Sequence, residues 1–150
     1  MKKDITRDYT IDAFRLYAAL GQPTYNQAVK DIRNRAIQSC KSTDPQDIIT
    51  YANEQVNKNS AMLADISAVY DTLKLLRRDN KEYIIRAIEG VYFVTPRNVL
   101  RKNDITSRVR NVALEIPASE TSVYKWLREA RQLFSAVRGL RNDSYSKYLN

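Results

Sequence analysis

The apolar residues of this chain recur in steps of three and four almost from end to end, a period that points to helices throughout. The pattern is most regular between Asp104 and Gly139. Val109, Val112, Ala113 and Ile116 fit one helix face, and beyond Pro117 the pattern restarts at Val123, Trp126, Leu127, Ala130, Leu133, Phe134 and Val137. Two helices with almost no linker follow from this. Ser119 stands where an N-cap is needed, its hydroxyl able to accept from the free amides of the next turn, and Gly139 stands just past the last periodic residue as a stop.

The remainder of the chain reads in the same way. Tyr9 to Leu20 carries Ile11, Phe14, Tyr17, Ala18 and Leu20 at helical spacing and is ended by Gly21-Gln22-Pro23, and a second helix from about Tyr25 to Cys40 buries Ala28, Val29, Ile32, Ala36 and Ile37. These two form a helical hairpin. Asp44 as N-cap with Pro45 at the first helical position opens a third helix, which carries Ile48, Ile49, Ala52 and Val56 and fades over residues 57–60. From Ala61 to Arg78 the positions Met62, Ile66, Val69, Leu73 and Leu76 form a seam. A homodimer through 61–78 is one reading of that seam, but it lasts barely three heptads, which favours packing inside one chain. A further helix runs from Glu82 to about Tyr92; Val91 to Val94 is rich in β-formers but has no partner strand elsewhere. Residues 95–103 read as a connector, with Pro96 discouraging helix at Thr95, and residues 142–150 as a frayed tail.

Composition excludes several chemistries. The chain has no histidine, one cysteine and three glycines, so the commonest general base, the Ser-His and Cys-His pairs, a zinc cluster and a Gly-rich phosphate loop all lack their residues. Asp44 with Asp47, or Asp65 with Asp71, are the carboxylate pairs left, and they read as solvated or helix-terminal acids. No enzyme and no cofactor is expected. Cys40 reads as an idle thiol. No apolar run approaches the roughly 20 residues of a membrane span, and no apolar secretory segment follows Met1-Lys2-Lys3, so a soluble cytoplasmic protein without membrane contact is expected.

Net charge is +8, unevenly placed: residues 1–80 hold 12 Lys/Arg against 10 Asp/Glu, and residues 81–150 hold 13 against 7. The excess falls on the half of the chain that contains the regular helix pair. A polyanion is the economical partner, because each neutralised phosphate releases counterions; a basic face that merely keeps the chain soluble is the alternative.

Counted from Ser119, the small residue Ala113 lies six before, Ile116 three before, Val123 four after and Trp126 seven after. A wide-angle helix pair needs a small residue at the approach and apolar residues clamping the corner, the arrangement of a helix-turn-helix. If its second helix enters the major groove, Glu120, Thr121, Tyr124, Lys125 and Arg128 are the base-reading side chains. Lys125 and Arg128 suit guanine, Thr121 a thymine methyl and Glu120 the cytosine amino group. Ser119 and Ser122 at the helix N-terminus suit a phosphate, and Arg108, Arg110, Arg131 and Arg138 would be positioning contacts. Arg97, Arg101 and Lys102 would touch phosphates from the connector. Trp126 lies on the apolar stripe and is expected in the core.

Residues 123–134, Val-Tyr-Lys-Trp-Leu-Arg-Glu-Ala-Arg-Gln-Leu-Phe, preceded by Ser-Glu-Thr-Ser, are similar to the last helix of sigma factor region 4-like proteins, in particular phage and mobile-element regulators of the ArpU and RinA type. Residues 83–93, Tyr-Ile-Ile-Arg-Ala-Ile-Glu-Gly-Val-Tyr-Phe, resemble the helix leading into that domain, and the resemblance covers about 81–141. It implies sequence-specific binding of double-stranded DNA and transcription control, with RNA polymerase as a candidate neighbour. Pro117 departs from the pattern: glycine is usual at the turn, and proline predicts φ near about −65°. The expected organisation is all-α: a helical bundle over 1–80, a helix-turn-helix domain over 81–141, and the tail. Two alternatives stay open, a DNA-packaging protein of the small terminase kind and a helical interaction module without nucleic acid.

Overall fold

The computed structural model describes residues 6–94 and 102–140, with the side chain of Lys102 left out. Seven helices lie among the described residues, and no strand: α1 (Arg7–Ala19), α2 (Tyr25–Ser39), α3 (Pro45–Lys58), α4 (Ser60–Arg78), α5 (Glu82–Val91), α6 (Lys102–Glu115) and α7 (Glu120–Arg138). The chain is all-α, as its periodicity predicts. No helix among the described residues is long and apolar enough to cross a membrane.

The helix ends follow from local chemistry. Thr24 Oγ1 accepts from the Gln27 amide and Gln27 Oε1 from the Thr24 amide, a reciprocal capping box that opens α2. Asp44 Oδ1 accepts from the Gln46 amide with Pro45 at the first position of α3, and Ser119 Oγ accepts from the Ser122 amide to open α7. α4 ends in a left-handed Asn80 (φ 61°), with Lys81 N–H on Leu76 O at 2.8 Å and Asn80 N–H on Arg77 O at 3.1 Å. Those two bonds satisfy carbonyls that the last turn would otherwise leave open. Gly139 ends α7 at φ 81°, a conformation without steric cost for glycine.

α4 is the central strut. The seam residues Ile66, Val69, Leu73 and Leu76 are buried against α1, α2, α5 and α7, and Met62 packs at their edge. That seam is therefore consumed within the chain, and a homodimer through 61–78 would have to open the core. α5 is buried along Ile84, Ile85, Ala87, Ile88 and Val91. A Cβ added at Gly90 would collide with Val112 Cγ2, so glycine is what lets α6 approach α5 this closely. Phe14 of α1 stacks on Tyr92 at 5.7 Å and meets Phe134 of α7 at 5.5 Å between ring centroids. The buried residues thus form one cluster from Ile11 to Phe134 that crosses the expected boundary at 80/81.

The α2–α3 hairpin is built differently. Only Ala28, Ala36 and Ala52 are buried in it, with Val29, Ile32 and Val56 packed at the margin of the core. Ile37 and Ile49, expected inside by their spacing, are exposed.

Candidate nucleic-acid interface

α6 and α7 are joined by residues 116–119, and the corner is apolar on both sides. Ala113 and Val123 are buried, while Ile116 and Trp126 pack at the margin of the core. The turn takes a form that the sequence reading did not expect. Ala118 N–H reaches Ala113 O at 2.9 Å, closing the long bond of a Schellman-type end, which puts Pro117 at the position that demands a left-handed backbone. Pro117 accordingly stands at φ 21° rather than near −65°. The second bond of such an end is missing because proline has no N–H to give.

Trp126 packs edge-on against Tyr83 of α5, with ring centroids 4.9 Å apart, which agrees with a packing role for the indole. On the opposite side of α7, Thr121, Tyr124, Lys125 and Arg128 are exposed and spaced i, i+3, i+4 and i+7, one continuous stripe. Lys125 and Arg128 have no ion-pair partner among the described residues. Glu120, the fifth base-reading candidate, is engaged by Arg110 at 3.3 Å. Both partners are exposed, so the pair exchanges readily with solvent.

The nine residues expected at phosphates divide sharply. Arg108 Nη1 donates to Val91 O at 2.9 Å and holds α6 to the end of α5. Arg131 Nη1 donates to the phenolic oxygen of Tyr92 at 2.8 Å, joining α7 to the same point. Arg138 Nε lies 2.8 Å from Asp65 Oδ1, and Tyr9 donates its phenolic hydrogen to the same carboxylate at 2.7 and 2.9 Å. The Asp65 bond leads the causes that hold the Arg138 guanidinium above its ordinary pKa, while partial burial and then the Asp65 bond push the Tyr9 phenol up. Asp65 is thus a largely buried ion-pair partner and not the solvated acid its sequence setting suggested. Arg110 remains at the surface in its pair with Glu120. Ser119 serves as the cap, and its hydroxyl donates to Ser122 Oγ at 2.9 Å. Arg97, Arg101 and the Lys102 side chain lie outside the described residues.

Among the described residues of α7, Lys125 and Arg128 are the exposed cations without an ion-pair partner, and they follow a helix N-terminus whose dipole attracts anions. Lys81 Nζ and Glu129 Oε2, 3.2 Å apart, edge the same surface, and the Glu129 bond pushes the Lys81 pKa up. The bonds that Arg108, Arg131 and Arg138 make within the chain were not read from the sequence, although a signal existed. Arg131 and Arg138 follow Leu127 and Phe134 by four residues and so stand in phase with the buried stripe; Arg108 precedes Val112 by four. Comparison of the chain with protein-family models, with curated proteins and with solved structures gives no match.

Proposed function

We propose that the chain is a sequence-specific, double-stranded-DNA-binding transcription regulator of the phage and mobile-element kind, reading the major groove with α7. The observation that carries the reading is the exposed stripe of Thr121, Tyr124, Lys125 and Arg128 on a capped helix separated from α6 by four residues, with both cations unpaired among the described residues. Lys125 and Arg128 donate to guanine O6 and N7, and Thr121 and Tyr124 add apolar and hydroxyl contacts. The resemblance of residues 81–141 to sigma region 4-like regulators and the basic excess of that segment support the same reading. RNA polymerase is the partner such a regulator would stand beside.

Selection of bound sequences from random duplex DNA, followed by retardation assays with Lys125→Ala and Arg128→Ala, tests it. Each variant is expected to weaken binding to the selected site by about 1–3 kcal/mol and to relax preference at one position. Unchanged affinity and preference in both variants would sink the base-reading assignment. Absence of salt-dependent binding to any duplex at low salt would instead favour a protein interaction module.

A further inference from the structure

Arg131 occupies its place in α7 at a cost. Its side chain is half-buried, its Nε is shut off from solvent without a hydrogen-bond partner, and no carboxylate pairs with it among the described residues. A guanidinium keeps its proton, so the charge stays in this partly desolvated setting, which is unfavourable without an opposite charge. In return Nη1 makes a directional bond to the Tyr92 phenolic oxygen at 2.8 Å. An apolar side chain of similar length would fill the position without that cost, and exchanging buried ionic groups for apolar ones of like volume is often neutral or stabilising.

Direction is therefore what the bond contributes. Its acceptor is itself fixed, since Tyr92 is 2% exposed and stacked on Phe14. Arg131 follows Arg128 by three residues, so the two project about 60° apart around one axis, and whatever holds the first sets the heading of the second. The other polar holds on α7 are less suited to this: the Lys81–Glu129 pair is exposed on both partners, and Arg138 stands in the last turn. A roll of about 20° would carry a side-chain tip at a radius of about 6 Å through about 2 Å. Recognition groups must be held within about 0.5 Å.

We propose that Arg131 is a positioning residue for the reading helix: its bond to Tyr92 sets the rotation of α7 and so aims Lys125 and Arg128, at some expense in stability. This role rests on the proposed reading, in which α7 enters the major groove.

Arg131→Met in the full chain tests it, by urea unfolding and by affinity for the selected duplex and an arbitrary one over a salt series. The urea midpoint should equal or exceed that of the wild type. Affinity for the arbitrary duplex and its salt slope should be unchanged, since no phosphate contact is lost. Affinity for the selected duplex should fall on the order of tenfold, within the range of one base contact. Arg131→Lys keeps a donor of similar reach and should recover much of the discrimination. A phosphate contact would instead weaken both duplexes alike and lower the slope by about 1, and a purely structural role would lower the urea midpoint and leave the ratio of the two affinities alone; either result overturns the proposal. A wild type that binds no duplex at low salt overturns the reading of α7 and this role with it, whereas a wild type that discriminates and an Arg131→Met variant that discriminates equally well removes the aiming role alone.

Discussion

Replacing Asp65 with alanine should destabilise the chain by about 3 kcal/mol, a magnitude that follows from where the carboxylate sits. Its side chain is 14% exposed and that of Arg138 is 24% exposed, with the ions 2.8 Å apart. Exposed pairs contribute about 0–1 kcal/mol, whereas breaking a buried pair costs about 3–5 kcal/mol because one charge is left uncompensated. The intermediate burial places this pair at about 2 kcal/mol, to which the lost Tyr9 hydrogen bond adds about 1 kcal/mol. In a chain of this length the melting temperature should fall by about 6–12 °C. Asp65→Asn, which keeps an acceptor for Tyr9, should cost about 2 kcal/mol. Urea unfolding supplies the measurement, with Arg110→Ala as the reference, since Arg110 and Glu120 are 65% and 52% exposed. If Asp65→Ala shifts the midpoint no further than Arg110→Ala at equal slope, the inference from burial fails. The same series separates structure from the proposed binding: Arg138→Met should lower stability and leave the salt dependence of any duplex binding unchanged, the reverse of what a phosphate contact would give.

Gly90→Ala should destabilise by about 1–2 kcal/mol, because overpacking outweighs the gain in helix propensity. The loss should shrink in a Val112→Ala background, where the colliding methyl is gone, and a urea midpoint unmoved by Gly90→Ala would refute the close approach. Alkaline pH should lower the stability of the chain over a window to which Tyr9 and Tyr17 contribute. Burial raises the pKa of Tyr17, and partial burial with the Asp65 bond raises that of Tyr9. A raised folded pKa means that the folded state holds its proton longer, so the contribution is complete below the ordinary tyrosine value of about 10 and is lost as pH climbs through the folded value. Lys81 adds loss in the same direction above its own ordinary value. Tyr9→Phe should remove part of the decline in unfolding free energy, and a profile identical to wild type above about pH 10 would exclude Tyr9 from it.

What the sequence makes legible here is local. Asp44-Pro45, Ser119 and Gly139 act within one turn of themselves, so their roles as caps follow from neighbours that the sequence lists in order. The α4 seam is legible for the same reason, because a repeat of buried positions needs no knowledge of the element it faces. Asp65 is the opposite case. It follows Met62 by three residues and precedes Val69 by four, so its phase is that of the core, yet only the crossing of α1 and α7 over α4 supplies Tyr9 and Arg138 as partners. Gly90 likewise looks like an unfavourable helix residue until α6 lies against it. Ile37 and Ile49 have the right spacing for a core and are exposed, because α2 and α3 meet through alanines.

Helical phase, more than charge, sorts the cations of α7. Arg131 and Arg138 stand on the side of Leu127 and Phe134 and are drawn into bonds with Tyr92 and Asp65, while Lys125 and Arg128 stand on the open side. The two sets are nonetheless linked. A helix held only by apolar contacts can roll about its axis at little cost, since those contacts are non-directional. The two arginine bonds and the Lys81–Glu129 pair are directional, and they hold α7 to α4, to the end of α5 and to its beginning. On the proposed reading, the arginines that contact no phosphate still contribute to recognition. They fix the rotation of α7, and thereby the direction in which Lys125 and Arg128 project, before any DNA arrives.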